Sequence, residues 1–251
     1  MKCILLCAGY ATRLFPLTEN FPKALLEIEE GKPLLNYIMD EANTIDEVDE
    51  VYLITNNRYY SHFKSWADSV NSSKLIKVLN DKTTSNDDRL GAIGDIHYVI
   101  KQEKIDDDML IICGDNLFDY KLNDLVNYYK GKKAVIVSGQ KCTDREKLKN
   151  FGVIEADANN MVVELEEKVE NPKGDILSFG IYVYPKDTLK LIDQYLEEKR
   201  NPDAPGRLIT YMHKITPTYV HTFEGSWYDV GTLESLVEVR DIYNKKKANI
   251  L

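Results

Sequence analysis

What is missing from these 251 residues narrows the field first. No tract approaches the roughly 20 consecutive apolar residues that a membrane-spanning helix needs. The N-terminus carries one lysine and a very short apolar run, so a secretory leader is not expected there. There is no CxxC pair. Three of the four cysteines, Cys3, Cys7, Cys113 and Cys142, fall in apolar runs, so small buried thiols in a reducing, cytoplasmic setting are expected. The four histidines, His62, His97, His213 and His221, show no HxxxH spacing, which argues against zinc. A basic stripe is also absent. With 32 Lys and Arg against 41 Asp and Glu, the formal net charge is −9, the wrong balance for a groove that tracks a nucleic-acid backbone. The densest basic run, Lys245-Lys246-Lys247, reads as a solvated helix end. If such an acidic chain binds anions, it must use a few cations placed locally.

What remains is an ordinary globular composition, 43% hydrophobic and 29% charged, on a chain long enough to bury a sizeable core. Apolar runs suited to buried parallel strands, at 2–7, 50–55, 74–79, 108–113 and 133–138, alternate with helically spaced stretches at 33–44, 58–70, 90–101 and 121–130. That alternation predicts an α/β fold with a doubly wound, mixed but mainly parallel sheet. Beyond residue 145 the runs FGVIEAD, MVVELEEK, LSFGIYVYP and YVHTFEG are β-rich, separated by turn signals such as Ala158-Asn159-Asn160 and Asn171-Pro172-Lys173-Gly174. Helices are expected at 186–199, 205–214 and 232–247. No linker, repeat or low-complexity segment divides the chain, so the second half is expected to add strands to the same sheet within a single domain, 1–251.

In an open α/β sheet, ligands sit outside the carboxyl ends of the strands. Four loops carry unusual residues at such ends: 8–23, 80–91, 114–116 and 226–232. The first begins Ala8-Gly9-Tyr10-Ala11-Thr12-Arg13, where small residues let backbone N–H groups approach a phosphate. It is neither GxGxxG nor a GK[ST] loop, and on its glycine alone it reads as a plain strand-to-helix turn. Arg13 and Lys23 change the weighing, because a guanidinium grips two phosphate oxygens and an ammonium supplies a point charge. Pro22 fixes the backbone that aims Lys23. The competing reading is two solvated surface cations.

The stretch LCAGYATRLFPLTENFPKALL closely resembles the N-terminal motif of the sugar-1-phosphate nucleotidyltransferases, such as the glucose-1-phosphate thymidylyl- and uridylyltransferases. It keeps Gly9, Thr12-Arg13-Leu14, Pro16 and Pro22-Lys23, and has Ala11 where the family more often has Gly. The resemblance implies a Rossmann-like nucleotidyltransferase fold with a nucleotide-binding half (1–145), a sugar-phosphate-binding half (146–231) and a C-terminal helix (232–251). It implies a metal-binding Asp115 in MLIICGDNLF and a second ligand, Asp229, in SWYDVGTLE, which also holds Trp227, Gly231 and Thr232. Read alone, Asp115 is a cap or turn residue, Asp229 a structural one and Thr232 a helix cap. The sugar-phosphate side is implied at Gly152 in FGVIEAD and at Glu167 and Lys168 in VELEEKVENP, with Val169 in place of the usual Pro. Taken alone, that segment is as well read as an edge strand with alternating charges. The loop NDKTTSNDDRLGAIGD lacks the family's base-reading wording. Asn80, Thr84, Ser85, Asn86 and Arg89 offer donors and acceptors there, Gly91 completes the loop, and the same residues also make ordinary turns. The base is left open.

The implied reaction is Mg²⁺-dependent transfer of a nucleotidyl group from an NTP to a sugar 1-phosphate. Ala8, Gly9, Thr12, Asn80, Thr84, Arg89 and Gly91 would hold the nucleotide. Arg13 would take the β- and γ-phosphates and Lys23 the α-phosphate. Asp115 and Asp229 would hold Mg²⁺, Lys168 would draw in the acceptor phosphate, and Gly152, Glu167 and Trp227 would hold the sugar. The acceptor phosphate is already ionised near neutral pH, so no nucleophile–base pair is needed. Two alternatives stay open. One is a cytidylyltransferase for an aminoalkyl phosphate, recognised by an aromatic cage that 16 tyrosines leave room for. The other is a non-catalytic nucleotide-sugar sensor. A nicotinamide dehydrogenase is disfavoured by the missing GxGxxG and by Lys23. Many members carry a C-terminal left-handed β-helix; ending at Leu251, the chain is not expected to reach one, and a homo-oligomer would form through the catalytic domain.

Overall fold

The computed structural model describes residues 1–248; Asn249 to Leu251, the end of the expected C-terminal segment 232–251, lie outside the described residues. The chain opens with β1 (Lys2–Leu6), a short hairpin of β2 (Glu27–Glu29) and β3 (Lys32–Pro33), and α1 (Leu34–Asn43). It continues through β4 (Glu50–Thr55), α2 (Tyr60–Ser69), β5 (Leu75–Asn80), α3 (Ala92–Glu103), β6 (Met109–Cys113), β7 (Asn116–Phe118) and α4 (Leu122–Lys132). The second half holds β8 (Val135–Lys141), α5 (Arg145–Leu148), β9 (Gly152–Ala156), β10 (Val162–Glu167), β11 (Ile176–Tyr184), α6 (Lys190–Glu197), α7 (Pro205–Met212), β12 (Thr218–Thr222), β13 (Trp227–Asp229) and α8 (Leu233–Ala248).

Why β1 is central follows from its side chains. Cys3 and Leu5 pack into the core on one face of the sheet and Ile4 into the core on the other, so the strand is buried on both sides. It pairs in parallel with β4 and β6, and β4 with β5. The helices cover the faces with one apolar stripe each. In α3, Ile93, Ile96, Val99 and Ile100 are buried at helical spacing, and the helix stops where Lys104 turns left-handed at φ 53°. Pro205 opens α7 at a position that has no use for its missing N–H.

The main sheet has nine strands in the order β10-β9-β11-β6-β1-β4-β5, with β8 against β11 and β12 beyond it. Seven run one way, and β10 and β11 run against them, so the sheet is mixed but mainly parallel. The expected second-half strands do join it. Two features went beyond expectation: the β2–β3 hairpin, and a ribbon in which β13 pairs antiparallel with β7. Three-residue strands carry too little periodicity to announce themselves. The β7–β13 ribbon matters most, because it puts Asp229 opposite Asn116 and lays the loop after β13 beside the end of β6.

Candidate active site

The loop after β1 is fastened from behind and open in front. The Asn56 side-chain amide donates to the Ala8 carbonyl at 2.8 Å, and the Thr18 hydroxyl donates to that of Ala11 at 2.7 Å. Tyr59 Oη donates to the Thr18 carbonyl at 2.6 Å. Ala11 sits in the left-handed region at φ 48°, ψ 41°, where the family's usual Gly fits without cost. Gly9 is exposed and faces open space, with no atom within 4 Å of where a side chain would begin. Arg13 is exposed and has no hydrogen-bond or ion-pair partner among the described residues. Lys23, on a single helical turn set up by extended Pro22, reaches Asp115 Oδ2 at 2.9 Å.

Two cavities meet at these residues. The first, about 580 Å³, is lined by Ala8, Gly9, Thr12, Arg13, Lys23, Arg89, Gly91, Asp115 and Lys168 among others. The second, about 860 Å³, takes in Gly152, Glu167, Trp227 and Asp229 and shares Arg13, Asp115 and Lys168 with the first. The Val230 N–H donates to the Asp115 carbonyl at 3.3 Å, joining the ends of β6 and β13. A side chain begun at Gly231 would stand 3.2 Å from Asp229 Oδ2 and 3.4 Å from Arg13 Nη2, so carboxylate and guanidinium close on the same point. The five charged groups expected to work together are together.

Their charges divide the two carboxylates. Burial works to raise the Asp115 carboxyl, but the charge and hydrogen bond of Lys23, with help from Arg13, hold it below the usual aspartate value. Asp229 is raised, by burial and by the Asp115 charge, against the opposing pull of Lys23, Arg13 and Lys168. Among the described residues no three His, Cys, Asp or Glu gather into a metal cage. Two hard-oxygen ligands with a cavity beside them suit Mg²⁺, which commonly takes one or two carboxylates and fills its shell with water and phosphate oxygens. The donor set fits that ion. A ready thiolate or a histidine base is not on offer: burial pushes the Cys7 and Cys113 thiols up, and no histidine lines either cavity.

In the second cavity Glu167 is wedged between two glycines. It pairs with Gly152 across the β9–β10 ladder, and a side chain at Gly206 would collide with its Oε1. Burial raises its carboxyl, with Lys168 and Arg207 pulling the other way. Lys168 follows in a left-handed conformation, φ 54°, its N–H donating to the Phe151 carbonyl at 3.1 Å. Trp227 stacks on Phe179 at 4.7 Å, meets Phe151 edge-on, and donates from Nε1 to Asn116 Oδ1 at 2.9 Å. Asn116 then donates to the Phe179 carbonyl at 2.6 Å. Asn116 and Phe179 were not anticipated. The only signal was the position of Asn116 next to Asp115.

The loop after β5 departs most from expectation. Asn80 turns away from the cavity: its amide donates to Asn57 Oδ1 at 2.9 Å, and its own oxygen accepts from the Lys82 N–H at 2.8 Å. Thr84 and Ser85 are folded around Asp88, which accepts from both backbone N–H groups. Neither Asn80 nor Thr84 lines the first cavity. Asn86, Arg89 and Gly91 do, although Arg89 already holds Asp203 in a two-pronged ion pair at 2.9 and 3.1 Å. Gly91 has φ 77° and lies so close to Pro202 that a side chain there would stand 2.7 Å from its carbonyl oxygen. Asp81 and Asp95 also line the cavity, and neither was anticipated.

An open, mainly parallel sheet whose cations and carboxylates gather outside the strand ends is the layout of an α/β domain that handles phosphorylated small molecules. The chain belongs to the nucleotidyl transferase family, whose profile matches residues 2–246. It is 32% identical over 240 residues to the bifunctional protein GlmU of Methanocaldococcus jannaschii, covering 95% of this chain and 53% of that one. A Sulfolobus acidocaldarius protein provisionally named mannose-1-phosphate guanyltransferase is 30% identical, with 92% and 60% covered. The chain thus spans little more than half the length of these relatives. Its fold is that of a UDP-glucose pyrophosphorylase solved with UDP-glucose, with a TM-score of 0.84, 20% identity and 98% of both chains covered. No helix among the described residues is long and apolar enough to cross a membrane.

Proposed function

We propose that this domain transfers a nucleoside monophosphate from an NTP to a sugar 1-phosphate and releases pyrophosphate. The observation that carries the reading is the convergence of Arg13, Lys23 and Lys168 with Asp115 and Asp229 where the two cavities join. Residues 1–145 serve the nucleotide and 146–231 the acceptor. The open backbone at Gly9, with Ala8 and Thr12, admits phosphate oxygens. Arg13, without a partner among the described residues, takes the β- and γ-phosphates and then the departing pyrophosphate. A phosphate oxygen of the acceptor, already ionised, forms the new bond to the α-phosphorus, while the bond to the β-phosphate oxygen breaks and leaves with its electron pair. Lys23 faces the charge that builds on the α-phosphate. Asp115 and Asp229 would hold Mg²⁺, which supplies charge neutralisation among the phosphates when bound. Lys23 keeps Asp115 ionised for that task. Lys168 brings in the acceptor phosphate, and Glu167, Gly152 and Trp227 hold the sugar hydroxyls and ring. The four free thiols suit a reducing, cytoplasmic setting.

Aromatic side chains in the second cavity bear on the aminoalkyl-phosphate alternative. Phe151, Phe179 and Trp227 pack against one another, and Lys147 Nζ lies over the Trp227 ring at 5.7 Å. A cation of the chain itself thus already stands near that ring, which favours an acceptor whose group beyond the phosphate is uncharged and hydroxyl-rich. The test crosses a panel of NTPs with sugar 1-phosphates and with aminoalkyl phosphates and follows pyrophosphate release with and without EDTA. Release that needs both an NTP and a sugar 1-phosphate, and stops with EDTA, is expected. Release with aminoalkyl phosphates alone, or with no pair at all, would overturn the reading.

A further inference from the structure

A third cavity, about 700 Å³, opens between β10 and the corner of α6 and α7, and the proposed transfer makes no use of it. Its charged lining is the reverse of the chain as a whole. Arg200, Arg207 and Lys214 face it with the single acid Glu167, in a protein whose net charge is −9. Arg200 is held in place: its Nε donates to Glu198 Oε2 at 2.7 Å, and its guanidinium lies over the Tyr211 ring at 4.7 Å. Tyr211 Oη donates to the other Glu198 oxygen at 3.0 Å, which fixes that ring. The two Nη groups of Arg200 and the whole Arg207 guanidinium have no partner among the described residues. Lys214 Nζ stands 3.9 Å from Glu164, outside hydrogen-bond reach.

The rest of the wall is apolar or already bonded. Tyr195 meets Tyr211 edge-on at 5.5 Å, and its hydroxyl donates to the Asn201 carbonyl at 2.7 Å. The Thr210 hydroxyl donates to the Leu165 carbonyl at 2.7 Å. Leu165, Val169 and Ile215 add aliphatic surface, and Ile215 is 53% exposed. What this cavity leaves open is therefore N–H donors beside an uncovered apolar wall.

We propose that it is a second binding site, for a phosphate monoester that carries an apolar group. A concave, largely apolar wall with a few converging polar groups is the build of a small-molecule site. Two guanidinium forks and an ammonium offer more donors than a carboxylate accepts, whereas a phosphate has three terminal oxygens to take them. The apolar group gains by covering the aliphatic and aromatic surface. Glu167 lines both this cavity and the second. A dianion at its back disfavours the ionised carboxylate that would accept sugar hydroxyls, so occupancy here weakens the sugar 1-phosphate. That coupling rests on the acceptor reading above; the site itself does not.

The probe is phenyl phosphate, titrated by calorimetry into the full chain. Binding is expected that Arg207→Ser/Lys214→Ser weakens at least about tenfold and Arg13→Ala changes less than about twofold. Arg207 and Lys214 are exposed, and the urea midpoint of the double variant checks that its fold is intact. Inorganic phosphate, lacking the ring, should bind at least about fivefold more weakly than phenyl phosphate. Absence of phenyl phosphate binding overturns the site, as does binding that the double substitution leaves unchanged. Binding lost in Arg13→Ala overturns it too, because the anion then sits in the transfer cavity. Equal binding of the two phosphates overturns the apolar half of the proposal. With phenyl phosphate saturating, the best-binding sugar 1-phosphate should bind at least about threefold more weakly to the wild-type chain and unchanged to the double variant. Lack of that shift overturns the coupling through Glu167. Failure of every sugar 1-phosphate to bind would sink the acceptor reading and the coupling with it, and leave the phenyl phosphate site standing.

Discussion

The first two cavities share four charged side chains, Arg13, Asp115, Lys168 and Asp203, but are walled in opposite ways. The first is faced largely with backbone and small residues: Ala8, Gly9, Gly91, Ala92 and Gly114 leave N–H groups and empty space, and charge enters from Arg13, Lys23, Arg89, Lys168 and the acids. The second is faced with rings, Phe151, Phe179, Tyr182, Trp227 and Tyr228, fixed by stacking and by the Trp227–Asn116 hydrogen bond. Bare backbone suits an anion that must be approached closely by many donors. A wall of packed rings suits a bulkier, weakly polar group that must be held in one orientation. On the proposed reading, the charges stand at the border because donor and acceptor phosphates would meet there.

Substitutions at groups assigned to the metal or the transferring phosphate should hurt both substrates, and those at groups assigned to the acceptor phosphate only that side. Asp115→Asn is expected to cut turnover about a thousandfold or more with the fold intact, the size of losing a metal ligand and its several kcal/mol. Normal turnover in magnesium would refute the metal assignment. Lys23→Ala should remove ~2–4 kcal/mol of transition-state stabilisation, read as a fall in kcat/KM carried by kcat. An effect confined to KM would make Lys23 a ground-state binder. Lys168→Ala should raise the acceptor KM about tenfold with little change in the NTP KM, the scale of one exposed charge–phosphate contact. Equal losses for both substrates would erase the division between cavities.

Two smaller effects concern stability. Asp95 is raised to about 8 by burial and by Asp81, so the folded chain keeps a proton that the unfolded chain releases near its ordinary aspartate value. Wild-type stability should therefore fall as pH rises from about 4 to 8, by at most about 1.4 kcal/mol per pH unit, and Asp95→Asn should flatten that slope. Urea unfolding across the window checks it, and parallel curves for the two proteins would count against a raised Asp95 carboxyl. Ala11→Gly should relieve left-handed strain of ~1–2 kcal/mol, partly offset by the freer unfolded chain, for a net gain of up to about 1 kcal/mol in the same assay. Loss of stability there would mean that the Ala11 methyl packs usefully.

Much of the first cavity was legible in advance because its signals are local. The buried run 2–7, the small residues after it, and Pro22 beside Lys23 act over a few positions, and Asp115, like Asp229 in the second cavity, stands in a short motif of its own. The loop after β5 was not legible in the same way. Asn80 and Thr84 looked free to meet a ligand, yet turn residues bond their own backbone as readily, and Asp88 and Asn57 took them. Asp81 and Asp95 passed unnoticed because acids near strand ends and helix starts are commonplace; only mutual burial makes these two unusual. The aromatic wall stayed hidden for a similar reason, since its rings come from β11, β13 and the loop before β9.

The sequence by itself determined the alternation of strands and helices, the both-face burial of the central strands, and the open, cation-bearing turn after β1. Each of these depends on residues that are neighbours along the chain. Tertiary structure alone decided that Lys23 would meet Asp115 across 92 positions, that Asp229 would arrive opposite Asn116, and that Asp81 and Asp95 would be buried together against one cavity. Those meetings depend on which strands pair and in what register, and pairing is settled by the burial of the whole sheet, which no local spacing encodes.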